Sequence, residues 1–144
     1  MKALVIGCGR VGSAVALELD RLGWDVTAID EKEDALHRLG EHWSGGFVVG
    51  HGMDLAILQQ AGIEDADAVV VATDGDNTNL VIGQLARKRY AIEKTVVRVL
   101  DPARADLYQQ LGLWTVSPTK TAIETLTRAV SSPSSVQDPA GART

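Results

Sequence analysis

The sequence predicts an α/β domain: a doubly wound Rossmann fold with a six-stranded parallel sheet. Three observations predict it. Short apolar runs alternate with longer amphipathic segments six times along the 144 residues. The runs lack polar alternation, as strands do when both sheet faces are covered. They recur at roughly 20–30 residues, the spacing of right-handed βαβ crossovers. Six β and six α elements in alternation then give a parallel sheet with helices on both faces.

Lys2–Ile6 reads as the first buried strand, and Arg10–Leu22 as a helix with Val11, Val15, Leu19 and Leu22 on one face. Gly23 stands where a helix end favours a left-handed residue. Asp25–Ile29 is the second strand, and Glu33–Leu39 a short helix with Leu36 and Leu39 inward. Phe47–Val49 is the third strand, and Asp54–Gln60 a helix stopped by Gly62. Ala68–Ala72 is the fourth and most apolar strand, followed by a helix over Thr78–Tyr90. Thr95–Leu100, a helix over Ala103–Leu111 and the short strand Thr115–Ser117 come next. The last helix, Thr119–Val130, has Ile123, Leu126 and Val130 on one face. Residues 1–130 thus form one domain, and 131–144, with four Ser and two Pro, read as a disordered tail or a linker.

Composition excludes several classes. Hydrophobic residues make up 45%, which argues against a disordered chain. Cys8 is the only cysteine, so an internal disulfide is impossible and a reducing, cytoplasmic setting fits best. The longest apolar runs fall far short of the ~20 residues of a spanning helix, so direct membrane insertion is not expected. No signal peptide is visible. Fourteen basic against nineteen acidic residues give a net charge of -5, a poor match to nucleic acid. The basic run Arg87-Lys88-Arg89 reads as a solvated helix end.

Gly7-Cys8-Gly9-Arg10-Val11-Gly12 is a GxGxxG between a strand and a helix, the context that gives the pattern meaning. Gly7 allows the tight turn, Gly9 the approach of a phosphate, and Gly12 close packing of helix on strand. The free N–H groups of the helix start then face the anion. Asp30, eighteen residues past Gly12, suits the two ribose hydroxyls of an adenosine and disfavours a 2′-phosphate. The alternative is the cap of the next helix, since Glu31 and Glu33 follow. Cys8 reads as a small filler within the loop, although a helix start can lower a thiol pKa. His37 and His42 read as surface residues, and the scattered His and lone Cys have no metal-ligand spacing.

Further stretches follow in order. Arg10 stands directly after the second glycine of the loop. Leu58-Gln59-Gln60-Ala61-Gly62-Ile63-Glu64-Asp65-Ala66-Asp67-Ala68-Val69-Val70 precedes Thr73-Asp74-Gly75-Asp76-Asn77-Thr78-Asn79. Val97-Arg98-Val99 comes next, and Leu111-Gly112 leads to Val116-Ser117-Pro118. From Lys2 to about Val130 the chain resembles the N-terminal nucleotide-binding domain of regulators of potassium conductance, the RCK, TrkA-N or KTN domain.

The resemblance implies a cytoplasmic regulatory subunit that binds NAD or NADH, or alternatively ADP or ATP. Such domains form homodimers or higher rings on a membrane potassium channel or transporter. It implies a nucleotide site of Gly7, Cys8, Gly9, Arg10, Val11, Gly12, Asp30 and Glu31, joined by Thr73, Asp76, Asn79 and Arg98. His51 and Met53 belong to the same set but depart from the family, which has an acid and a hydroxyl there. An imidazole stacks or donates but cannot replace an acidic acceptor. His51 reads equally as a surface turn residue. Gln109 and Gln110 stand where some members hold a divalent cation, so no metal is expected. Trp114 replaces a usual acid and reads as core, or as an exposed anchor at a subunit contact. Arg10, beside a terminal phosphate, is the candidate switch; as an alternative it makes a surface pair.

No convincing acid or base stands against a nicotinamide, so an enzyme is not expected. The cofactor domain of an NAD-dependent oxidoreductase is the alternative, as is a nucleotide sensor serving another partner.

Overall fold

A computed structural model describes residues 1–133. Its strands are β1 (Lys2–Ile6), β2 (Asp25–Asp30), β3 (Gly46–Val49), β4 (Ala68–Val71), β5 (Lys94–Arg98) and β6 (Trp114–Val116). They form one six-stranded sheet in the order β3-β2-β1-β4-β5-β6, with every pair parallel. The order reverses between β1 and β4, each paired with the other, so a crevice opens beyond the carboxyl ends of these two strands.

Side-chain alternation sorts the core into two layers. Leu4 and Ile6 of β1 enter one cluster, while Val5 between them enters the other. In β2, Ile29 joins the first cluster and Val26 and Ala28 the second. The helices α1 (Arg10–Arg21), α2 (Leu55–Gln60), α3 (Asp76–Gln84), α4 (Pro102–Gln110) and α5 (Pro118–Ser131) join successive strands or follow the last. Leu58 of α2, Ile82 of α3 and Ala105 of α4 cover the first cluster. Ala16 of α1 and Ala35 and Leu39 of a 3-10 helix over Glu33–Leu39 cover the second.

Several local expectations change. The residues after β2 form a 3-10 helix, whose tighter turn buries Ala35 and Leu39 and leaves Leu36 exposed. On α1 the buried residues are Gly12, Ser13 and Ala16; Val15 and Leu19 are half-buried beside them, and Val11 and Leu22 face outward. The helix lies so close to β1 that only small residues fit its innermost line. Gly23, with φ of 93°, ends it as expected. The helix predicted over Thr78–Tyr90 starts at Asp76 and changes to a π turn over Leu85–Arg89. Trp114 is 54% exposed on the edge strand, not core. The expected inward face of α5 is not inward: none of its residues is buried. Beyond Pro133, the predicted tail lies outside the described residues; Ser131 itself closes α5.

Candidate functional site

The crevice at the strand-order reversal is an open cleft of about 650 Å³, within the range of small-molecule sites. Its centre is the turn from β1 into α1. Gly7 has a φ of 96°, and a Cβ there would lie 2.6 Å from the Ala72 carbonyl oxygen. Gly12 is tighter still: a Cβ would stand 1.7 Å from the Gly7 carbonyl oxygen. Both glycines are therefore demanded by the fold. Gly9 differs, because a Cβ on it would meet nothing within 4 Å. It is the N-cap of α1, with no side chain capping the helix. The first-turn N–H groups and the positive end of the helix dipole thus border open space. Arg10 and Val11, both exposed, line the same space.

Asp30 ends β2 and fixes this loop. Its Oδ2 accepts the Cys8 N–H at 2.8 Å, and its Oδ1 accepts the Lys32 N–H at 2.9 Å. The carboxylate thus bonds the phosphate-loop backbone and the turn that follows β2. It does not cap the 3-10 helix, whose N-cap is Lys32. Each oxygen keeps acceptor capacity toward the cleft, which Asp30 lines. Arg38, which no sequence motif singled out, reaches back from the 3-10 helix and donates from Nη1 to the Cys8 carbonyl at 3.2 Å. The Cys8 backbone is therefore held at both its N–H and its carbonyl. Its side chain is fully buried among Val5, Ala16 and Val26, and burial pushes the thiol pKa up to about 12, with the Asp30 charge adding and Arg38 opposing. The filler reading of Cys8 describes its environment.

The two wings of the cleft differ. On the β2–β3 side stand Glu31, Gly50 and His51, with Met53 next to them but outside the lining. On the β4–β5 side stand Thr73 and Arg98. Arg98 Nη2 donates to the Thr73 carbonyl at 2.6 Å and lies 3.7 Å from the exposed Asp74 carboxylate. Its Nε is buried without a partner. Asn79 is buried beneath this wing. Its Oδ1 accepts from the Thr73 N–H and hydroxyl, and its Nδ2 donates to the Thr73 and Arg98 carbonyls. Asp76 accepts from the Leu100 N–H at 2.8 Å and the Asp101 N–H at 3.1 Å. Asp76 and Asn79 thus brace the loops that carry Thr73 and Arg98 without lining the cleft themselves. Cys8 and Gly12 are also off the lining. His37 and His42 are exposed and are not among the residues that line the cleft. Gln109 bonds locally: its Oε1 accepts the Thr115 N–H at 2.8 Å. No cluster of potential metal ligands occurs among the described residues.

A parallel sheet in this order, with a glycine turn and an acid at the end of β2, defines a Rossmann-type domain with its cleft at the topological switch point. Residues 3–118 match the profile of the TrkA-N domain, and the chain belongs to that family. It is 41% identical over 117 residues to the Trk system potassium uptake protein TrkA of Streptomyces coelicolor, covering 81% of this chain and 52% of that protein. The chain spans about half the length of that relative. Among solved structures it resembles the Shewanella denitrificans Kef CTD in its AMP-bound form, at 28% identity and a TM-score of 0.76, over 98% of this chain and 89% of that one. It also resembles the GsuK channel bound to NAD, at 26% identity and a TM-score of 0.75, over 90% of this chain and 23% of that one.

Proposed function

We propose that this chain is a nucleotide-binding regulatory domain of a potassium uptake system, acting at the cytoplasmic face on a membrane transporter or channel subunit. One observation carries the reading: the open space over Gly9 at the start of α1 belongs to the same cleft as the Asp30 carboxylate. Diphosphate would bind the α1 N-terminus over Gly9, and the ribose hydroxyls would donate to the remaining lone pairs of Asp30. Arg10, exposed at the first helical position, would reach a terminal phosphate. The ligand is an adenine nucleotide: NAD or NADH, or alternatively ADP or ATP. The relatives support this class, since Kef CTD was solved with AMP and GsuK with NAD and with ADP. No helix among the described residues is long and apolar enough to cross a membrane.

The domain, spanning residues 1–130, works as a sensor and not as a catalyst. Ligand binding transmits a signal only where two shapes of a homodimer or ring bind it with different affinity. Calorimetric titration of nucleotide-stripped protein with NAD, NADH, ADP and ATP, with mass followed by light scattering, tests this. Selective binding with a change in assembly is expected. Gly9→Val should keep the fold and abolish binding, because its side chain fills the phosphate's approach. Asp30→Ala should weaken binding by about tenfold or more. Retained affinity in Gly9→Val would overturn the loop assignment. NADH turnover by the pure protein, abolished by Asp30→Ala, would establish an oxidoreductase instead.

A further inference from the structure

Two side chains on the β2–β3 wing have chemistry that phosphate and ribose binding leave unused. His51 follows β3, and Glu31 follows β2; both line the cleft. His51 Nδ1 accepts the Met53 N–H at 3.1 Å. A ring nitrogen that accepts a hydrogen bond carries no proton, so the proton of the neutral imidazole resides on Nε2. That Nε2 stands 3.4 Å from Glu31 Oε1. An ionised carboxylate only accepts. The pair therefore offers one fixed donor beside one acceptor.

Chain order within a nucleotide says what meets this pair. Base, ribose and phosphate are joined in that sequence. A ligand with phosphate over Gly9 and ribose at Asp30 carries its base onward, past Asp30 to Glu31 and His51. The argument rests on the nucleotide reading of the cleft.

We propose that Glu31 and His51 select adenine by reading its N6/N7 edge. Glu31 accepts from the exocyclic amine, and His51 Nε2–H donates to N7. Adenine presents a donor beside an acceptor on this edge, whereas guanine presents two acceptors, N7 and O6. Hypoxanthine shares the oxo group. Against either, the Glu31 carboxylate meets an oxygen, and only the His51 bond forms.

Titration of the full chain with ADP, IDP, GDP and 7-deaza-ADP, in wild type and in Glu31→Ala and His51→Phe, tests this. Both side chains are at the surface, and thermal melts should show both variants folded. ADP should bind at least about tenfold more tightly than IDP or GDP. Glu31→Ala should weaken ADP to the level of IDP and leave IDP unimpaired. In wild type 7-deaza-ADP should bind about tenfold more weakly than ADP, and His51→Phe should erase that difference. Nitrogen-15 NMR should show His51 as the Nε2–H tautomer. Equal binding of ADP and IDP by a protein whose Gly9→Val variant binds neither would overturn the inference alone. A preference that survives Glu31→Ala would also overturn it. Failure of every nucleotide to bind would remove the nucleotide reading and this inference together.

Discussion

α1 and α5 are built to one plan and packed differently. Both follow a parallel strand, and both carry apolar residues at helical spacing. α1 follows β1, which is paired on both sides, and its inner line of Gly12, Ser13 and Ala16 is buried. α5 follows β6, a three-residue edge strand, and buries nothing. Its Ile123, Leu126 and Val130 are 55%, 68% and 87% exposed. Helical periodicity says that a face is apolar; the position of the preceding strand in the sheet decides whether this chain covers it. The residues that make α1 pack are the small ones, which a count of apolar side chains overlooks.

The sharpest way to break that comparison is to enlarge the inner line of α1. Gly12→Val should abolish the cooperative unfolding transition at ordinary temperature, since its Cβ alone would stand 1.7 Å from the Gly7 carbonyl oxygen. Backbone, not a flexible side chain, is the obstacle, so the cost should be on the order of 3 kcal/mol or more. Gly9→Ala, three residues earlier, should change stability by less than about 0.5 kcal/mol. Chemical denaturation of both variants checks the contrast. Next in size is Leu4→Ala, in the fully buried centre of β1. It should cost about 2–5 kcal/mol, read from the urea midpoint.

Cys8 gives the α1 unit a pH signature. Its folded pKa of about 12 lies above the ordinary thiol value of 9.0. The native protein then holds a proton that the unfolded chain releases. This stabilisation is fully present below pH 9 and is lost as pH rises toward about 12. Between pH 9 and 10.5 wild type should lose stability relative to Cys8→Ala by roughly 1 kcal/mol per pH unit. Parallel denaturation curves would show it, and equal slopes would refute a buried neutral thiol. Native Cys8 should also resist alkylation until the protein unfolds.

The alternation of strands and helices, the glycine turn and the acid at the end of β2 were legible because each rests on local rules: apolar runs, tight turns, and a fixed distance from loop to acid. The 3-10 helix was not. Ala35 and Leu36 are adjacent, and hydrophobicity favours the leucine, yet the tighter winding buries the alanine. Arg38 was invisible because its partner is a backbone carbonyl thirty residues away, which no side-chain pattern records. Asp76 and Asn79 were legible as a motif but not as braces: their partners are the amides and carbonyls of loops brought near only by sheet order. Trp114 stood open between core and surface, and its edge position decides for the surface, as it does on α5. An aromatic in a strand suggests core, but β6 is the last strand and its face stands open.

The smallest expected effect lies on α5. Leu126→Ser removes a large apolar side chain from a helix, and by periodicity alone it should resemble a core mutation. It should not behave as one. Leu126 is 68% exposed, so little apolar area returns to water on unfolding, and the residue lies inside a helix whose cap is formed elsewhere by Ser117. Ser117 Oγ accepts the Lys120 N–H at 3.1 Å, a bond the substitution leaves intact. What remains is the difference in helix propensity, about 0.5 kcal/mol or less. A change of that size in the urea midpoint of dilute protein is expected. A loss comparable to Leu4→Ala would mean that α5 is covered in solution, and the contrast with α1 would then describe an isolated chain and not the working molecule. Repeating the melt over a hundredfold range of protein concentration separates the two, because only cover from a second molecule makes the midpoint rise with concentration.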